Sequence, residues 1–268
     1  MKIYSPITSS QRHKCLISRH LLWKGKSLKT LTKGSHHFSG RNSHGRITVR
    51  YRGSRVHKKY RFIDNKRIFG GIPAMVVHIE YDPNRSSFIA LLLYYNGVYS
   101  YILSPNQLLP GCFVFSGRIV RSKTLYSIGF SGMLNDFSIG SFIHNIALQP
   151  KAGGKLVRSA GTYAQLLKKD LDGYCLVKLP SGEKRLISQF AIATLGVVSN
   201  VSHRDEYSAK AGRSILMGRK PHVRGMAMNP VDHPHGGATS GGKIPVTPWN
   251  KITKGQSTRK RPNVLISK

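Results

Sequence analysis

Apolar and polar residues alternate through much of the middle of the chain. In Arg46–Arg52, the apolar residues Ile47, Val49 and Tyr51 are separated by Arg and Thr. A period of two residues is typical of a strand with one buried face. The segment is therefore predicted to be a strand, with its apolar side chains facing a core and its arginines facing outward.

Further short apolar runs follow this first predicted strand. Asn96–Gly97 separates two of them, and Asn-Gly between apolar runs favours a tight hairpin. Five short antiparallel strands within about sixty residues predict a small barrel of OB type. The four further predicted strands are Lys59–Ile63, Ala74–Glu80, Phe88–Tyr95 and Val98–Leu103.

A second series of short strands predicts a second small β-barrel. Pro180–Glu183 is a predicted tight turn within it, and Tyr163–Lys169 fits either a helix or an extended segment. The predicted strands are Cys112–Phe115, Ser141–Leu148, Lys155–Arg158, Tyr174–Leu179, Lys184–Ile187 and Ala191–Val198.

Both ends of the chain lack this periodicity. Residues 1–40 are predicted to form an arm with a short helix around Lys14–Trp23. After Ser199, closely spaced Gly and Pro leave no room for a regular element longer than a turn. So long an irregular tail is unusual in a compact domain. RNA would provide the packing surface that the tail lacks.

Charge strengthens the case for an RNA partner. The 268 residues include 43 Lys+Arg and 10 Asp+Glu, a formal charge of +33. Residues 1–63 hold 16 basic and no acidic side chains, residues 64–206 hold 15 and 9, and residues 207–268 hold 12 and one. Such a chain repels itself when compact, and phosphate is the natural neutralising partner. No apolar run of about 18 residues exists to span a bilayer.

Three cysteines, Cys15, Cys112 and Cys175, lie far apart and form no CxxC pair. A zinc knuckle and a disulfide framework are therefore not expected. Cys112 and Cys175 lie in apolar runs, so each is expected to be a small buried side chain. The basic, Ser-rich N-terminus has traits of a transit peptide. Its basic character continues past residue 60, so we expect an integral RNA-binding arm, with a cleaved presequence as the alternative.

Two segments carry candidate RNA contacts. Gly40–Arg46 combines Arg and Asn donors with glycines that allow a close backbone approach. An ordinary polar loop is the alternative, but the adjacent arginines favour RNA. Tyr51, Tyr60 and Phe62 lie among cations, where base stacking and core packing are both open.

Asp232–His235 places a carboxylate beside two histidines, a composition that occurs in metal sites and general bases. Neighbouring side chains rarely converge, and no nucleophile is nearby, so histidines hydrogen-bonded to RNA are expected instead. Gly153–Lys155 lacks the spacing of a phosphate-binding P-loop and precedes a strand-like run.

Several longer segments resemble the ribosomal protein L2 family. The longest runs from Lys220 to Gly237 and reads KPHVRGMAMNPVDHPHGG. The resemblance extends from about residue 40 to the C-terminus. The other matching segments are Gly40–Val49, Ile79–Ser86, Arg158–Gln165, Leu179–Glu183 and Val246–Trp249.

This resemblance implies a mainly β fold, with an OB-like barrel followed by an SH3-like barrel and extended basic arms at both ends. The implied divisions are residues 1–39 for the N-terminal arm, 40–110 for the OB-like RNA-binding domain, 111–199 for the SH3-like barrel and 200–268 for a basic tail that penetrates ribosomal RNA (rRNA).

The resemblance also implies a structural constituent of the large ribosomal subunit, not an enzyme. Such a protein binds large-subunit rRNA near the peptidyl-transferase region and supports assembly and subunit association. Expected partners are this rRNA, neighbouring ribosomal proteins and the small subunit at an intersubunit bridge, with no membrane span. No cofactor or protein-bound metal is expected, apart from Mg²⁺ associated with rRNA.

By this resemblance, His233 lies in the loop nearest the peptidyl-transferase region. The residues expected to bind rRNA are Arg41, Asn42, Arg46, Arg50, Arg52, Lys58, Lys59, Arg158, Ser159, Lys220, Arg224, Asn229, His235, Trp249, Lys251, Arg259, Lys260 and Arg261.

The chain departs from the family pattern in three places. Gly53–Lys58 replaces the usual Gly-Gly-Gly-His-Lys run, so Arg55 is expected to reach phosphate in place of a close backbone approach. Ala238–Gly242 is short and lacks a Glu, and Gly117–Asn135 matches poorly. Such drift is typical of an organellar member, so a mitochondrial ribosome is expected, with the bacterial cytoplasm or a plastid as alternatives.

Two other functions remain open on the residues alone. A free-standing RNA chaperone could carry the same barrels and would be less abundant than ribosomal proteins. A hydrolase that uses His233 and Asp232 would be active without RNA.

Overall fold

A computed structural model describes residues 1–117, 127–237, 243–256 and 264–267. Within these ranges the fold is mainly β. One short helix, α1, is described at Ala211–Leu216, with 3-10 turns at Lys29–Leu31, Leu134–Asp136, Val201–Asp205 and Gly225–Ala227. In chain order, the described strands are β1 (Lys2–Ile3), β2 (Cys15–Leu16), β3 (Thr32–Ser35), β4 (Lys58–Arg61), β5 (Ala74–Glu80), β6 (Ile89–Tyr94), β7 (Tyr99–Leu103), β8 (Phe113–Val114), β9 (Ser131–Met133), β10 (Phe142–His144), β11 (Ala164–Leu171), β12 (Tyr174–Lys178), β13 (Lys184–Ser188), β14 (Ile192–Leu195) and β15 (Ile266–Ser267).

The chain divides into two compact units. The barrel unit comprises Met1–His36, His57–Ala209 and Val264–Lys268. The tail unit comprises His37–Val56 and Lys210–Asn263. A segment from the N-terminal quarter of the sequence therefore packs with the C-terminal segment.

Four antiparallel strands in the order β7-β6-β5-β8 form the first curled sheet of the barrel unit. A bulge in β5, between Val76 and His78, adds the local twist that curls a sheet. The inner face buries Val76, Leu92 and Ile102, and the curled sheet is consistent with the predicted OB-like barrel. The predicted hairpin is confirmed, because the Gly97 N–H donates to the Tyr94 carbonyl at 2.9 Å.

Seven antiparallel strands form the second curled sheet, in the order β15-β13-β12-β11-β10-β14-β9. Its core includes Phe130, Ile143, Leu166 and Val177, all fully buried. This sheet is consistent with the predicted SH3-like barrel. Residues 163–169, which fitted either a helix or an extended segment, mostly belong to strand β11, in which Ala164 and Leu166 are buried and the other residues are partly or fully exposed.

The predicted strand at Lys155–Arg158 is wrong. The structure has only an isolated bridge between Leu156 and Ile146 there. Val157 has a φ of 53°, a left-handed conformation that a strand cannot continue through. The segment is instead an irregular connection before β11.

The predicted helix around Lys14–Trp23 is also wrong. Cys15–Leu16 forms strand β2, and Cys15 also bridges to Tyr207. The Trp23 N–H donates to the Ile79 carbonyl at 2.8 Å, and the Trp23 ring stacks on His78 at 4.6 Å. Backbone bonds to neighbouring strands thus replace the intrahelical bonds that a helix needs.

Two further expectations require correction. Helix α1 shows that the region after Ser199 does contain a regular element longer than a turn. Cys112 is exposed, because it precedes the edge strand β8 and lies outside the core. Cys175 is buried as predicted, and all three cysteines are free thiols. Within the described ranges, no helix has the length and apolar character that a membrane crossing requires.

One buried hydroxyl joins the N-terminal segment of the barrel unit to the first curled sheet. The Tyr101 hydroxyl donates to Glu80 Oε1 at 2.7 Å and accepts the Leu28 N–H at 3.1 Å. Tyr101 is fully buried, so no water replaces these bonds when the hydroxyl is absent.

Tyr101→Phe is therefore expected to lower the free energy of unfolding by about 1–3 kcal/mol, because the Leu28 N–H is left unpaired. Urea denaturation of the purified protein measures this change. Tyr95→Phe is the matched control, since Tyr95 is 93% exposed. Equal stability of the two variants would contradict the bridging role of Tyr101.

Candidate RNA interface

The segment Gly40–Arg52 of the tail unit, called here the arginine loop, folds back on itself. Asn42 Oδ1 accepts the N–H groups of His44 and Arg46, at 3.1 and 2.9 Å. The Gly40 carbonyl accepts from Thr48 and Val49. These local bonds satisfy the backbone within a turn, as Asn side chains often do.

The predicted strand at Arg46–Arg52 is therefore wrong. Ile47 is 61% exposed and Val49 is also exposed, so neither contributes to a core. Tyr51 has a φ of 60°, which interrupts an extended strand. The alternation of Arg with apolar residues reflects a cationic loop and not a half-buried strand.

All four arginines of the loop, Arg41, Arg46, Arg50 and Arg52, are exposed. In the part of the chain that the structure describes, none of them lies in a salt bridge with a carboxylate. Their positive charge is therefore available to an external anion. Asn42 was predicted to bind rRNA. In the structure its side-chain oxygen Oδ1 accepts the two backbone N–H groups that hold the turn.

Tyr51 joins the arginine loop to the C-terminal part of the tail unit. Its ring lies 4.2 Å from the His222 ring, and its hydroxyl donates to the Val223 carbonyl at 3.0 Å. Its carbonyl accepts the Lys220 N–H at 3.0 Å. Tyr51 therefore anchors the loop, a role that neither of the two sequence interpretations included.

Tyr60 and Phe62 lie in the barrel unit and are both about half exposed. Their rings meet edge to face with centroids 5.6 Å apart. The interpretation of these two aromatics as core residues is therefore wrong. Tyr60 lies in β4 and Phe62 just after its end, and both rings are at the surface. Base stacking stays a prediction.

The segment Gly225–Gly237, called here the histidine loop, closes around one buried side chain. His233 is 8% exposed, and its backbone N–H donates to the Asn229 carbonyl. A Cβ on Gly225 would lie 2.5 Å from His233 Nδ1, so only Gly allows the ring to approach this closely. Gly236 likewise faces the Asn229 carbonyl, and its N–H donates to the His233 carbonyl.

The protonation of His233 follows from these contacts. Its Nδ1 accepts the His235 N–H at 3.0 Å, so the neutral ring carries its proton on Nε2. Removal from water lowers the pKa of His233, and the charges on His235 and Arg50 lower it further. The lowered pKa favours the neutral imidazole.

His235 connects the histidine loop to the following segment. Its Nε2 lies 2.9 Å from the Ile244 carbonyl and 3.2 Å from the Val246 N–H. One tautomer donates to the first and the other accepts from the second. The side chain predicted to bind RNA thus also has an internal role.

Among the described residues, no group of three His, Cys, Asp or Glu side chains could hold a metal ion. Asp232 is exposed, whereas His233 is buried, and the His233 side chain accepts its hydrogen bond from the His235 N–H.

The indole of Trp249 is largely exposed, and the Arg50 guanidinium lies over it at 5.5 Å. Together with Arg41, Val223 and Asp232, these two residues line an open groove of the tail unit. Lys251 is exposed and ends a turn in which the Thr247 N–H donates to the Lys251 carbonyl. A cation above an exposed aromatic face is an arrangement that also accepts a stacked base.

A second cationic surface lies in the barrel unit. Arg158, Ser159 and Lys155 are exposed and line an open groove together with Tyr60 and Pro180. Sequence reasoning missed Lys155, because Gly153–Lys155 was assessed only as a P-loop. Lys155 lies three residues before Arg158 in the sequence, and this spacing could have indicated that both contribute to one cationic surface.

Lys58 and Lys59 border this region through backbone contacts. Lys58 Nζ donates to the Pro83 carbonyl at 2.9 Å, and Asn84 Nδ2 donates to the Lys59 carbonyl at 2.6 Å. Buried Asp82 lies 3.7 Å from Arg61 and is also paired with Arg85. The carboxylate therefore holds two cations of this surface in place.

The predicted residues thus fall into three groups. The barrel unit contains Lys58, Lys59, Arg158 and Ser159. Arg259, Lys260 and Arg261 lie outside the described residues, as does Ala238–Gly242. The tail unit contains Arg41, Asn42, Arg46, Arg50, Arg52, Lys220, Arg224, Asn229, His233, His235, Trp249 and Lys251.

Two family models match the chain. The model described as "Ribosomal Proteins L2, RNA binding N-terminal domain" matches residues 28–116. The model described as "Ribosomal Proteins L2, C-terminal domain" matches residues 127–253. Together they cover most of the chain, with strands β3 to β14 and the greater part of the tail unit.

Whole-length relatives agree with these models. The large ribosomal subunit protein uL2 of Granulibacter bethesdensis is 51% identical over 271 residues, which cover 99% of this chain and 96% of the relative. Protein uL2m of Reclinomonas americana is 50% identical, with 97% and 94% covered. Protein uL2 of Parvibaculum lavamentivorans is 48% identical, with 97% and 92% covered.

The chain belongs to the ribosomal protein L2 family, and it is a structural, RNA-binding component of the large ribosomal subunit and not an enzyme.

Proposed function

We propose that the arginine loop and the histidine loop together form the principal rRNA-binding surface of this protein. The observation that carries the proposal is the exposure of Arg41, Arg46, Arg50 and Arg52 without carboxylate partners in the described structure. Each such cation that meets a phosphate releases a condensed counterion, which favours binding. The tail residues Lys220, Arg224, Asn229, His235, Trp249 and Lys251 extend this surface, with Arg259, Lys260 and Arg261 beyond the described part.

The barrel unit supplies a second contact with rRNA in this proposal. Arg158, Ser159 and Lys155 lie along one groove, and Tyr60 at its side presents a half-exposed ring. Cations that follow a phosphate backbone beside an aromatic platform are typical of RNA-binding surfaces. The four proposed parts of the chain remain residues 1–39, 40–110, 111–199 and 200–268, with the loop from the second part packed in the tail unit.

The histidine loop is proposed to lie near the peptidyl-transferase region and to position RNA there. A neutral, buried His233 supports this role, because it is held rigidly and needs no counter-charge. The chemistry of peptide transfer then belongs to RNA. Contact with the small subunit at an intersubunit bridge is a further part of the proposal.

We also propose that the protein works in a mitochondrial ribosome. The 50% identity to the mitochondrial form uL2m of Reclinomonas americana supports this location. Bacterial uL2 relatives at 51 and 48% identity support the bacterial cytoplasm to the same extent.

Arg46→Ala and Arg158→Ala are each expected to weaken rRNA binding and to lower its salt dependence by about one phosphate contact, a change in log–log slope of about 0.7–0.9. Filter binding across a salt series measures both quantities. Arg46→Lys and Arg158→Lys are the matched controls, because they keep the charge and therefore the slope. Unchanged affinity and slope in both alanine variants would overturn the proposed contacts.

His233→Ala is expected to leave the protein on assembled large subunits but to slow peptide-bond formation by at least about tenfold, equivalent to about 1.4 kcal/mol. Rapid-quench peptidyl transfer on purified particles measures this rate. His203→Ala, in the barrel unit, is the control and is expected to retain the rate. A normal rate in His233→Ala particles would refute the positioning role.

A further inference from the structure

The outer face of the first barrel carries a continuous row of apolar side chains. Strand pairing places Phe113 opposite Met75, Met75 opposite Leu93, and Leu93 opposite Tyr99. Opposite residues in adjacent strands present their side chains on the same face, close enough to touch. These four residues, called here the outer apolar row, cross the whole sheet from β8 to β7.

The outer apolar row is accessible. Phe113 is 68% exposed and Tyr99 is 42% exposed, while Met75 and Leu93 are partly exposed between them. Tyr95, at the tip of the adjoining hairpin, is 93% exposed and extends the apolar surface beyond the sheet. Isolated exposed apolar residues are ordinary, but a contiguous patch indicates an interaction site.

The other half of the same face shows how such a surface becomes covered. Leu91 and Tyr101 follow Leu93 and Tyr99 at two-residue spacing, and both are buried. Leu28 and Leu31 of the N-terminal segment pack against them. Leu28 and Leu31 therefore form a second apolar layer over one half of this face. The other half, the outer apolar row, stays partly or largely exposed.

Charge identifies the kind of partner that completes this layer. Residues 86–117, which include β6, β7 and β8, contain no Lys, Arg, Asp or Glu, although charged residues make up 20% of the chain. RNA-stacking platforms combine aromatic side chains with a cationic groove that follows the phosphates. Lys26 and Lys29 line a groove with Leu91, beside the half of the face that the N-terminal segment covers. Strands β5 to β8, which form the face itself, contain no Lys or Arg.

We propose that the outer apolar row and Tyr95 are the docking site for an apolar, uncharged segment of a neighbouring protein in the ribosomal particle. In a chain with a formal charge of +33, these 32 consecutive residues give three of the four strands of this face no cation that could pair with phosphate. The aromatic and Met side chains present there are those enriched at protein–protein contacts. The proposal takes membership of the large subunit as given and concerns a surface separate from the two cationic ones.

Photo-crosslinking in assembled large subunits tests this inference. A photoreactive phenylalanine replaces Tyr99 or Phe113, and replaces Phe62 in the matched control. Phe62 is similarly exposed but follows Arg61 and Lys59. Both test positions are expected to yield an adduct with one and the same protein, resistant to ribonuclease. The Phe62 adduct is expected to be RNA and to disappear with ribonuclease.

A charge substitution provides the second readout. In the double variant Tyr99→Lys/Phe113→Lys, occupancy of the crosslinked protein on purified particles is expected to fall by at least about fivefold, because a charge replaces an aromatic contact at each end of the row. The affinity of the isolated variant for rRNA is expected not to decrease, because no cationic contact is removed.

Three outcomes would overturn the inference. They are RNA adducts at Tyr99 and Phe113, no adduct at either position while Phe62 reacts, and unchanged partner occupancy in the double variant. Failure of the unmodified protein to bind rRNA would instead contradict the proposed function. The two failures are therefore distinguishable.

Discussion

Uncompensated positive charge is the constraint on which the organisation of this protein depends. With 43 basic and 10 acidic side chains, the chain cannot place its charges near one another without an anionic partner. The molecule separates two tasks as a result. The central residues hold nearly all of the acidic groups and form both cores, and the flanking segments carry most of the uncompensated cations.

Local backbone bonds give the cationic segments a defined shape in the absence of a large core. Asn42 holds the arginine loop with two backbone bonds, and Gly225 allows the His233 ring to approach closely. Tyr51 ties the arginine loop to His222 and Val223, which precede the histidine loop in the tail unit. Such interactions add little stability individually, but they orient donors before RNA binds, which reduces the entropy lost on association.

Short apolar runs predicted the strands of the first core. β5, β6 and β7 coincide with three of these runs, and Asn96–Gly97 marks the hairpin between β6 and β7. Periodicity failed where local or distant bonds decide the conformation. Arg46–Arg52 alternates like a strand, but its partner Lys220 lies far away in sequence. The neighbouring residues in the sequence give no sign that Tyr51 anchors the loop or that His233 is buried.

The central claim is that this protein is held in the large subunit by rRNA through exposed cations. Sedimentation of ribosomes before and after limited ribonuclease digestion measures that retention directly. The protein is expected to comigrate with the large subunit and to be released when the RNA is cut or the salt concentration is raised. Migration apart from the large subunit, unaffected by ribonuclease, would contradict the account.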